Sequence, residues 1–398
     1  MKIAHLISQF YPVLGGAEIC VHNVCAQLAA AGHQATVVTT IHPAPDKPAL
    51  DYGIVHLSPH TNGLFRRSPA LARAYLVWKL ARLQRRHQFD LWQVTMGYPL
   101  GILAVDFFRK RRIPCVLRCC GEDIQKYPEI NYGYRLDPAA DALARAQYPK
   151  FDGFVALTPS VKEEYLALGV PEGKIRVIPN GVDLARFRSV RRDDALRRGL
   201  GADASTKLII SVGRYHGKKG FDLIPEIAAG LKAKGLKFSW VVVGRGNEEL
   251  ERKFPGLAEL GVRVVANAGS YADEDAFCLP SRKLIELYRN ADVFAFPTLL
   301  ETFGMVLVEA MAAELPIVTT DAPGVRDVIT DGVDGARAKA GDVGGFVELL
   351  ADVLTRPELA ARLAQGSAAA AERYGWDSVT QAYIGLYRDT IANGVTSR

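Results

Sequence analysis

Two acids in an apolar stretch carry the most telling spacing in the chain. The segment ETFGMVLVEAMAAELPIV, residues 301–318, holds Glu301 and Glu309 eight positions apart, with Gly304 between them and no lysine or arginine inside the stretch. The preceding run ADVFAFPTLLE reads as a strand entering a loop, and Thr302-Phe303-Gly304 then opens a helix. Along a helix, eight residues rise at most about 12 Å and rotate about 80°. Both carboxylates can therefore flank one elongated ligand from the same side. A carboxylate accepts two strong hydrogen bonds from vicinal hydroxyls. The first turn of a helix offers unpaired amides and partial positive charge. Gly304, Met305 and Val306 thus form a candidate seat for a diphosphate, and Gly304 admits close approach. Hydroxyl pairs on both sides of a diphosphate describe a nucleotide sugar. Spacing alone equally allows Glu309 to pair with a distant arginine and Glu301 to be solvated.

Other segments supply matching chemistry. VGRYHGKKGFDLI, residues 212–224, leaves a strand and enters a helix, carrying Gly213, Arg214 and Lys219. A planar guanidinium fork and a compact ammonium suit the charge that develops on a departing diphosphate. FSWVVVGRGNEE brings Gly244 and Gly246 without a third glycine, a weak dinucleotide fingerprint that argues against a nicotinamide enzyme. SQFYPVLGGAE, residues 8–18, is a second glycine loop. There Gly15 and Gly16 would let backbone amides meet a phosphate or an acceptor.

The elements that must position these residues alternate throughout. Strands are expected at KIAHLIS, QATVVTT, GIVHLS, 89–95, 114–123, 151–158 and 175–183. In the second half they are expected at 207–214, 238–246, 263–269, 292–298 and 316–320. Helices are expected between them, including 69–86, 159–168, 221–234, 281–290, 304–313 and 342–354. Such alternation with right-handed crossovers gives doubly wound parallel sheets, here enough strands for two. The expected fold class is α/β, with two facing Rossmann-like domains and an interdomain cleft at the carboxyl ends of their strands. Residues 1–183 would form the N-terminal domain and 204–374 the second. The arginine- and aspartate-rich stretch 184–203 would be a linker.

Bulk properties narrow the function classes. The 398 residues exceed one ordinary core. No apolar run approaches 18 residues, and the short apolar start lacks a cleavage signal, so a cytoplasmic protein is expected. The six cysteines contain no Cys-x-x-Cys pair, which disfavours a zinc site or disulfide framework. The net charge of +6 falls in residues 1–175, with 20 Lys+Arg against 14 Asp+Glu. Residues 61–120 hold twelve basic residues, Arg118 among them, against Asp90 and Asp106. This suggests attraction to something anionic. Without an aromatic platform or a recognised module, nucleic acid is not the expected partner. Lys79, Arg82 and Arg86 share one face of a helix, so 64–86 and 109–118 are a candidate surface for an anionic membrane.

These segments together resemble the retaining GT-B glycosyltransferases of family 4, over essentially the whole chain. Glu301-x7-Glu309 is similar to the family's E-x7-E element, and Gly213-Arg214 with Lys219-Gly220 to its G-R-x4-K-G element. Pro12, Gly15-Gly16-Ala17-Glu18, Gly32-His33 and Ile178-Pro179-Asn180-Gly181-Val182-Asp183 stand at similar positions. The resemblance implies that Glu309 holds the ribose, Glu301 the donor sugar, and Arg214 and Lys219 the diphosphate. It also implies that the closing helix, 375–398, crosses back onto the N-terminal, acceptor-binding domain. Two segments depart from the family. Cys120-Gly121-Glu122-Asp123 stands where His-Gly-x-Asp is usual, leaving the catalytic role of that position to Asp123 or Cys120. Pro323-Gly324-Val325-Arg326-Asp327 replaces a double glycine and a glutamate.

The resulting expectation is sugar transfer with retention from a nucleotide-diphosphate sugar, UDP-sugar favoured and GDP-sugar open. The acceptor hydroxyl is expected in cell-envelope polysaccharide or glycolipid assembly, on a glycan or lipid-linked acceptor. Alternatives are a soluble small-molecule acceptor and a non-catalytic partner subunit that binds nucleotide sugars. No cofactor or metal is expected, since basic residues and a helix terminus can do a metal's electrostatic work. The site could lie at the inner face of a membrane.

Overall fold

The computed structural model describes residues 1–13, 15–41, 49–57, 61–265 and 280–396. It divides into two compact units. The first comprises Met1–Asn180 with Trp376–Arg398, and the second Gly181–Gly375.

The first unit is built on strands β1 (Lys2–Ile7), β2 (Gln34–Thr39), β3 (Gly53–His56), β4 (Leu91–Thr95), β5 (Cys115–Arg118), β6 (Gly153–Ala156) and β7 (Ile175–Val177). Their order is β3-β2-β1-β4-β5-β6-β7, and every pair is parallel. The second unit carries β8 (Lys207–Val212), β9 (Phe238–Val243), β10 (Val262–Val265), β11 (Val293–Ala295), β12 (Ile317–Thr320) and β13 (Ala336–Ala338). Their order is β10-β9-β8-β11-β12-β13, again all parallel. Both are doubly wound α/β sheets, as expected from the alternation, and two such units fit the GT-B fold that the family resemblance implies. Parallel strands are covered on both faces, so they read as unbroken apolar runs rather than alternating ones. β9, FSWVVV, is buried at all six positions.

The winding order reverses once in each sheet, between β1 and β4 and between β8 and β11. Loops leaving the carboxyl ends of two strands diverge at such a point and open a crevice. In the second unit those loops are residues 213–220 and 296–304, the two segments that carry Arg214, Lys219 and Glu301.

Helix starts follow local capping chemistry. Ser281 caps Arg282–Asn290 by accepting from the Leu284 amide at 3.1 Å. Asp342 caps Val343–Thr355 through the Gly345 amide at 2.9 Å. Helices at Ile102–Arg111, Pro138–Gln147 and Pro357–Ala371, and strand β13, add to those expected from sequence. Residues 266–269 of the strand expected at 263–269, and Cys278, lie outside the described residues.

Two sequence expectations change. Residues 184–203 are not an extended linker. They fold as helices Leu184–Arg188 and Asp194–Gly199 inside the second unit. Arg197 is buried there because Asp292, at 2.9 Å, and the Asn290 carbonyl match its guanidinium. Arg118, counted in the basic face, is 1% exposed at the end of β5. All of 113–118 is buried, so only 109–112 of the second basic segment is available to a surface.

Candidate active site

The loop after β8 and the loop after β11 are tied together by backbone. The Lys218 carbonyl accepts from the Leu299 amide at 2.7 Å and from the Thr298 hydroxyl at 2.8 Å. Gly220, at φ +65°, lies so close to the second loop that a Cβ would stand 1.9 Å from the Pro297 oxygen. Only glycine allows that approach. The loop is backed in turn by residues 323–324. The Pro323 carbonyl accepts from the Glu301 amide at 3.0 Å, and a Cβ on Gly324 would meet the Glu301 oxygen at 2.3 Å. The departure at Pro323-Gly324 therefore gives a rigid backing to Glu301. Gly244 is similarly structural, since its Cβ would fall 2.1 Å from the Gly213 oxygen.

These ties bring Lys219 and Glu301 into an ion pair. Both side chains are largely buried, at 13% and 5% exposure. Burial favours the neutral acid at Glu301, but the charges of Lys219 and Lys218 outweigh it and hold the carboxyl below its ordinary value. Lys219 is drawn below the usual ammonium range, mainly by burial and despite Glu301. Its ammonium also lies 5.3 Å from the centre of the Phe296 ring. Arg214 is exposed and adds to the positive field on Lys219. The structure thus brings together Arg214, Lys219 and Glu301, whose sequence separations do not reveal the contact.

Gly304 adopts φ +80° and caps the helix Met305–Ala312. Met305 and Val306 are half-buried in its first turn, and the Leu307 amide turns back to the Gly304 carbonyl at 2.9 Å. Glu309 lies on the same helix and is buried. Tyr288, from the helix Arg282–Asn290, donates to Glu309 Oε2 at 2.9 Å. Burial pushes the Glu309 carboxyl up to about 7, with Tyr288, Lys219 and Arg186 pulling the other way. Among the described residues, Glu309 forms no ion pair with an arginine. The partner is a phenol, with the cations acting at longer range.

The first unit places its expected site residues differently. Asp123 is 1% exposed. One of its oxygens accepts from the Cys120 and Gly121 amides, at 2.8 and 3.0 Å, and the other from the Gly97 amide at 2.7 Å. It pins the loop after β5 to the loop after β4, which leaves little capacity for a substrate. The Cys120 thiol lies 3.0 Å from Arg118 Nη1, and burial pushes it up to about 12 against the pull of Arg118. It is a neutral thiol at ordinary pH. The Gly15 amide is taken by Glu18 Oε2 at 2.9 Å, and Gly16 begins the helix Gly16–Ala30. Arg118 also reaches Asn180 Oδ1 at 2.6 Å and the Tyr383 hydroxyl at 3.1 Å. It thereby joins three segments of this unit. Among the described residues, no group of three or more His, Cys, Asp or Glu side chains converges to hold a metal ion.

Two family models cover most of the sequence. Glycosyltransferase Family 4 matches residues 14–186, and Glycosyl transferases group 1 matches residues 192–369. The chain belongs to the GT-B glycosyltransferases of family 4. Among the relatives of this family 4 chain are D-inositol 3-phosphate glycosyltransferases. That of Acidothermus cellulolyticus is 31% identical over 274 residues, covering 67% of this chain and 58% of the relative. That of Xylanimonas cellulosilytica is 32% identical over 245 residues, covering 59% and 56%. The chain thus spans little more than half the length of these relatives. The enzyme of Rhodococcus erythropolis aligns over 95% of this chain and 87% of its own, at 25% identity. Solved structures share the fold. Sucrose-phosphate synthase from Thermosynechococcus elongatus has a TM-score of 0.76 at 18% identity, covering 98% of this chain and 99% of its own. Anabaena HepE, solved with UDP and glucose, has a TM-score of 0.72 at 20% identity and full coverage of both chains.

Sequence reasoning missed Tyr288 and Thr298. Tyr288 sits at helical spacing with Ile285, which reads as ordinary core. The only signal was a buried hydroxyl needing a partner. Thr298 lies in the loop after β11, beside the pair, although from sequence it reads as the last residue of the strand expected at 292–298.

Proposed function

We propose that this family 4 member transfers a sugar from a nucleotide-diphosphate sugar to an acceptor hydroxyl with retention of configuration. The observation that carries the reading is the constellation in the second unit. Two buried acids, Glu301 and Glu309, lie with Lys219, Arg214 and the helix start at Gly304 around a topological reversal of the sheet. In this reading Glu309 accepts from the ribose hydroxyls and Glu301 from the donor sugar. Arg214, Lys219 and the first-turn amides of Met305 and Val306 receive the diphosphate.

The bond from the anomeric carbon to the phosphate oxygen breaks as the acceptor oxygen bonds to that carbon on the same face. The acceptor proton passes to the departing phosphate. The cations and amides neutralise the charge that builds there. No metal is required in this scheme. Asp123 and Cys120 act in this reading by shaping the loop after β5 rather than by contacting the sugar. The base is proposed as uracil first, with guanine the alternative.

For the acceptor, the D-inositol 3-phosphate glycosyltransferase relatives favour a soluble small polyhydroxy molecule over a glycan or lipid. A membrane-bound acceptor is favoured instead by one surface of the first unit. A groove of about 1010 Å³ between helices Pro69–His87 and Ile102–Arg111 is lined by Phe65, Val77, Trp78 and Phe107, with Arg73 and Lys110 beside them. Trp78 is 52% exposed, and Arg82, Arg85, Arg86, Arg109 and Arg111 are exposed nearby. Among the described residues, no helix is long and apolar enough to cross a membrane.

One experiment tests the reading. UDP- and GDP-sugars are incubated in excess EDTA with inositol phosphate or with lipid acceptors, and the anomeric configuration of the product is read by NMR. A retained product from a small acceptor, formed in EDTA, is expected. Donor epimerisation without transfer, or an absolute need for Mg²⁺ or Mn²⁺, would contradict it. Flotation with anionic liposomes that is lost in neutral ones would support the membrane acceptor.

A further inference from the structure

One oxygen of Glu309, Oε2, accepts from the Tyr288 hydroxyl at 2.9 Å. We propose that Tyr288 is a positioning residue for nucleotide binding: its hydroxyl holds Glu309 through Oε2 and orients the carboxyl so that its other oxygen receives the ribose hydroxyls. The inference rests on the reading that Glu309 is the ribose site.

The geometry is specific. The Tyr288 hydroxyl donates at 2.9 Å, and the ring is fully buried between Phe187 and Phe294, with centroids 6.1 and 5.8 Å away. The phenol cannot swing to another partner without breaking that packing. Burial and the adjacent carboxylate raise Tyr288 well above the usual phenol range, so it stays a donor. The hydrogen-bonding and charged groups acting on Glu309 come from three elements. Tyr288 reaches it from the helix Arg282–Asn290, Lys219 from the loop after β8, and Arg186 from the helix Leu184–Arg188. All three favour the carboxylate, while burial opposes it. The carboxyl is therefore balanced near neutrality, and the hydrogen bond is a decisive contribution to that balance. A carboxylate accepts from two vicinal hydroxyls. A protonated acid keeps one proton to donate and binds the diol less well.

The test titrates UDP and GDP into the full chain by calorimetry from pH 5.5 to 9, in wild type, Tyr288→Phe, Glu309→Gln and Phe294→Leu. The nucleotide's own phosphate ionisation appears equally in all four. Wild-type affinity should rise through about pH 7, beyond what Glu309→Gln shows. Tyr288→Phe should bind roughly tenfold more weakly near pH 7, recover toward pH 9, and move the midpoint upward. Phe294→Leu loosens the same packing without removing the donor and should leave the midpoint in place. If Glu309→Gln matches wild type at every pH, or neither nucleotide binds wild type, the ribose reading fails and the inference with it. If Glu309→Gln weakens binding but Tyr288→Phe equals wild type, or is weakened equally at every pH, the inference is overturned while the ribose reading stands. A midpoint shift in Phe294→Leu matching that of Tyr288→Phe would also overturn it.

Discussion

Glu309 is a liability to the ligand-free chain, which makes it measurable without any assay. Its carboxyl is raised from 4.5 to about 7, chiefly by burial. Below pH 4.5 both folded and unfolded chains hold the proton. Between 4.5 and 7 the unfolded chain releases it first, so stability is lost across that window, on the order of 3 kcal/mol in full. Glu309→Gln escapes the loss. It should raise the melting temperature over wild type at pH 8 and change it little at pH 5; an equal effect at both would contradict the assignment. Lys219 and Glu301 pose the opposite case. Lys219→Met leaves a buried carboxylate without its cation, which costs about 3–5 kcal/mol. Adding Glu301→Gln should restore most of that stability, read by thermal unfolding, while turnover stays reduced by orders of magnitude. Activity in the double variant near wild type would remove both residues from the chemistry. At this scale the motifs were legible because acid and base types recur at set spacings. The Lys219–Glu301 contact was not, because 82 positions separate the partners. Asp123 read as a candidate for a catalytic role; its oxygens accept from three backbone amides, and nothing local in the sequence announces those bonds.

At the scale of elements, glycines fix how closely the site loops pack. Gly220 and Gly235 both adopt positive φ, at +65° and +75°, but only Gly220 has a carbonyl in the way of a Cβ. Gly235→Ala should cost about 1 kcal/mol for the backbone alone. Gly220→Ala should cost about 3 kcal/mol or more, because the loops after β8 and β11 must part. It should also weaken nucleotide binding. Urea unfolding and calorimetry compare the two, and equal costs would mean the loops are not locked together. Strand and helix identities were readable because buried parallel strands are short apolar runs and helices show their period. Sheet order was not readable, because the same runs could pair in several ways. Residues 184–203 read as a linker from their charge. A buried arginine matched by Asp292, 95 positions away, overturned that reading.

At the scale of the molecule, the chain leaves the first unit at Asn180 and re-enters it at Trp376. The closing helix completes that unit's interior. Tyr383 and Tyr387 are fully buried, and they meet Arg118 and Gln93 at 3.1 and 2.7 Å. Truncation after Gly375 would leave a buried guanidinium and amide short of partners and should abolish the first unit's cooperative unfolding transition, followed by calorimetry. Survival of that transition would show the helix to be peripheral. The number of domains was legible from length and alternation, and the return of the closing helix came only with the family resemblance. The central claim is that the second unit grips a nucleotide sugar by its two hydroxyl-bearing ends, with fixed positive charge on the diphosphate between them. A crystal structure with the nucleotide sugar that most raises the melting temperature tests it most directly. The account predicts ribose hydroxyls on Glu309, sugar hydroxyls on Glu301, and the diphosphate against Arg214, Lys219 and the amides after Gly304. A nucleotide bound elsewhere, with Glu309 meeting no hydroxyl of the ligand, would contradict it.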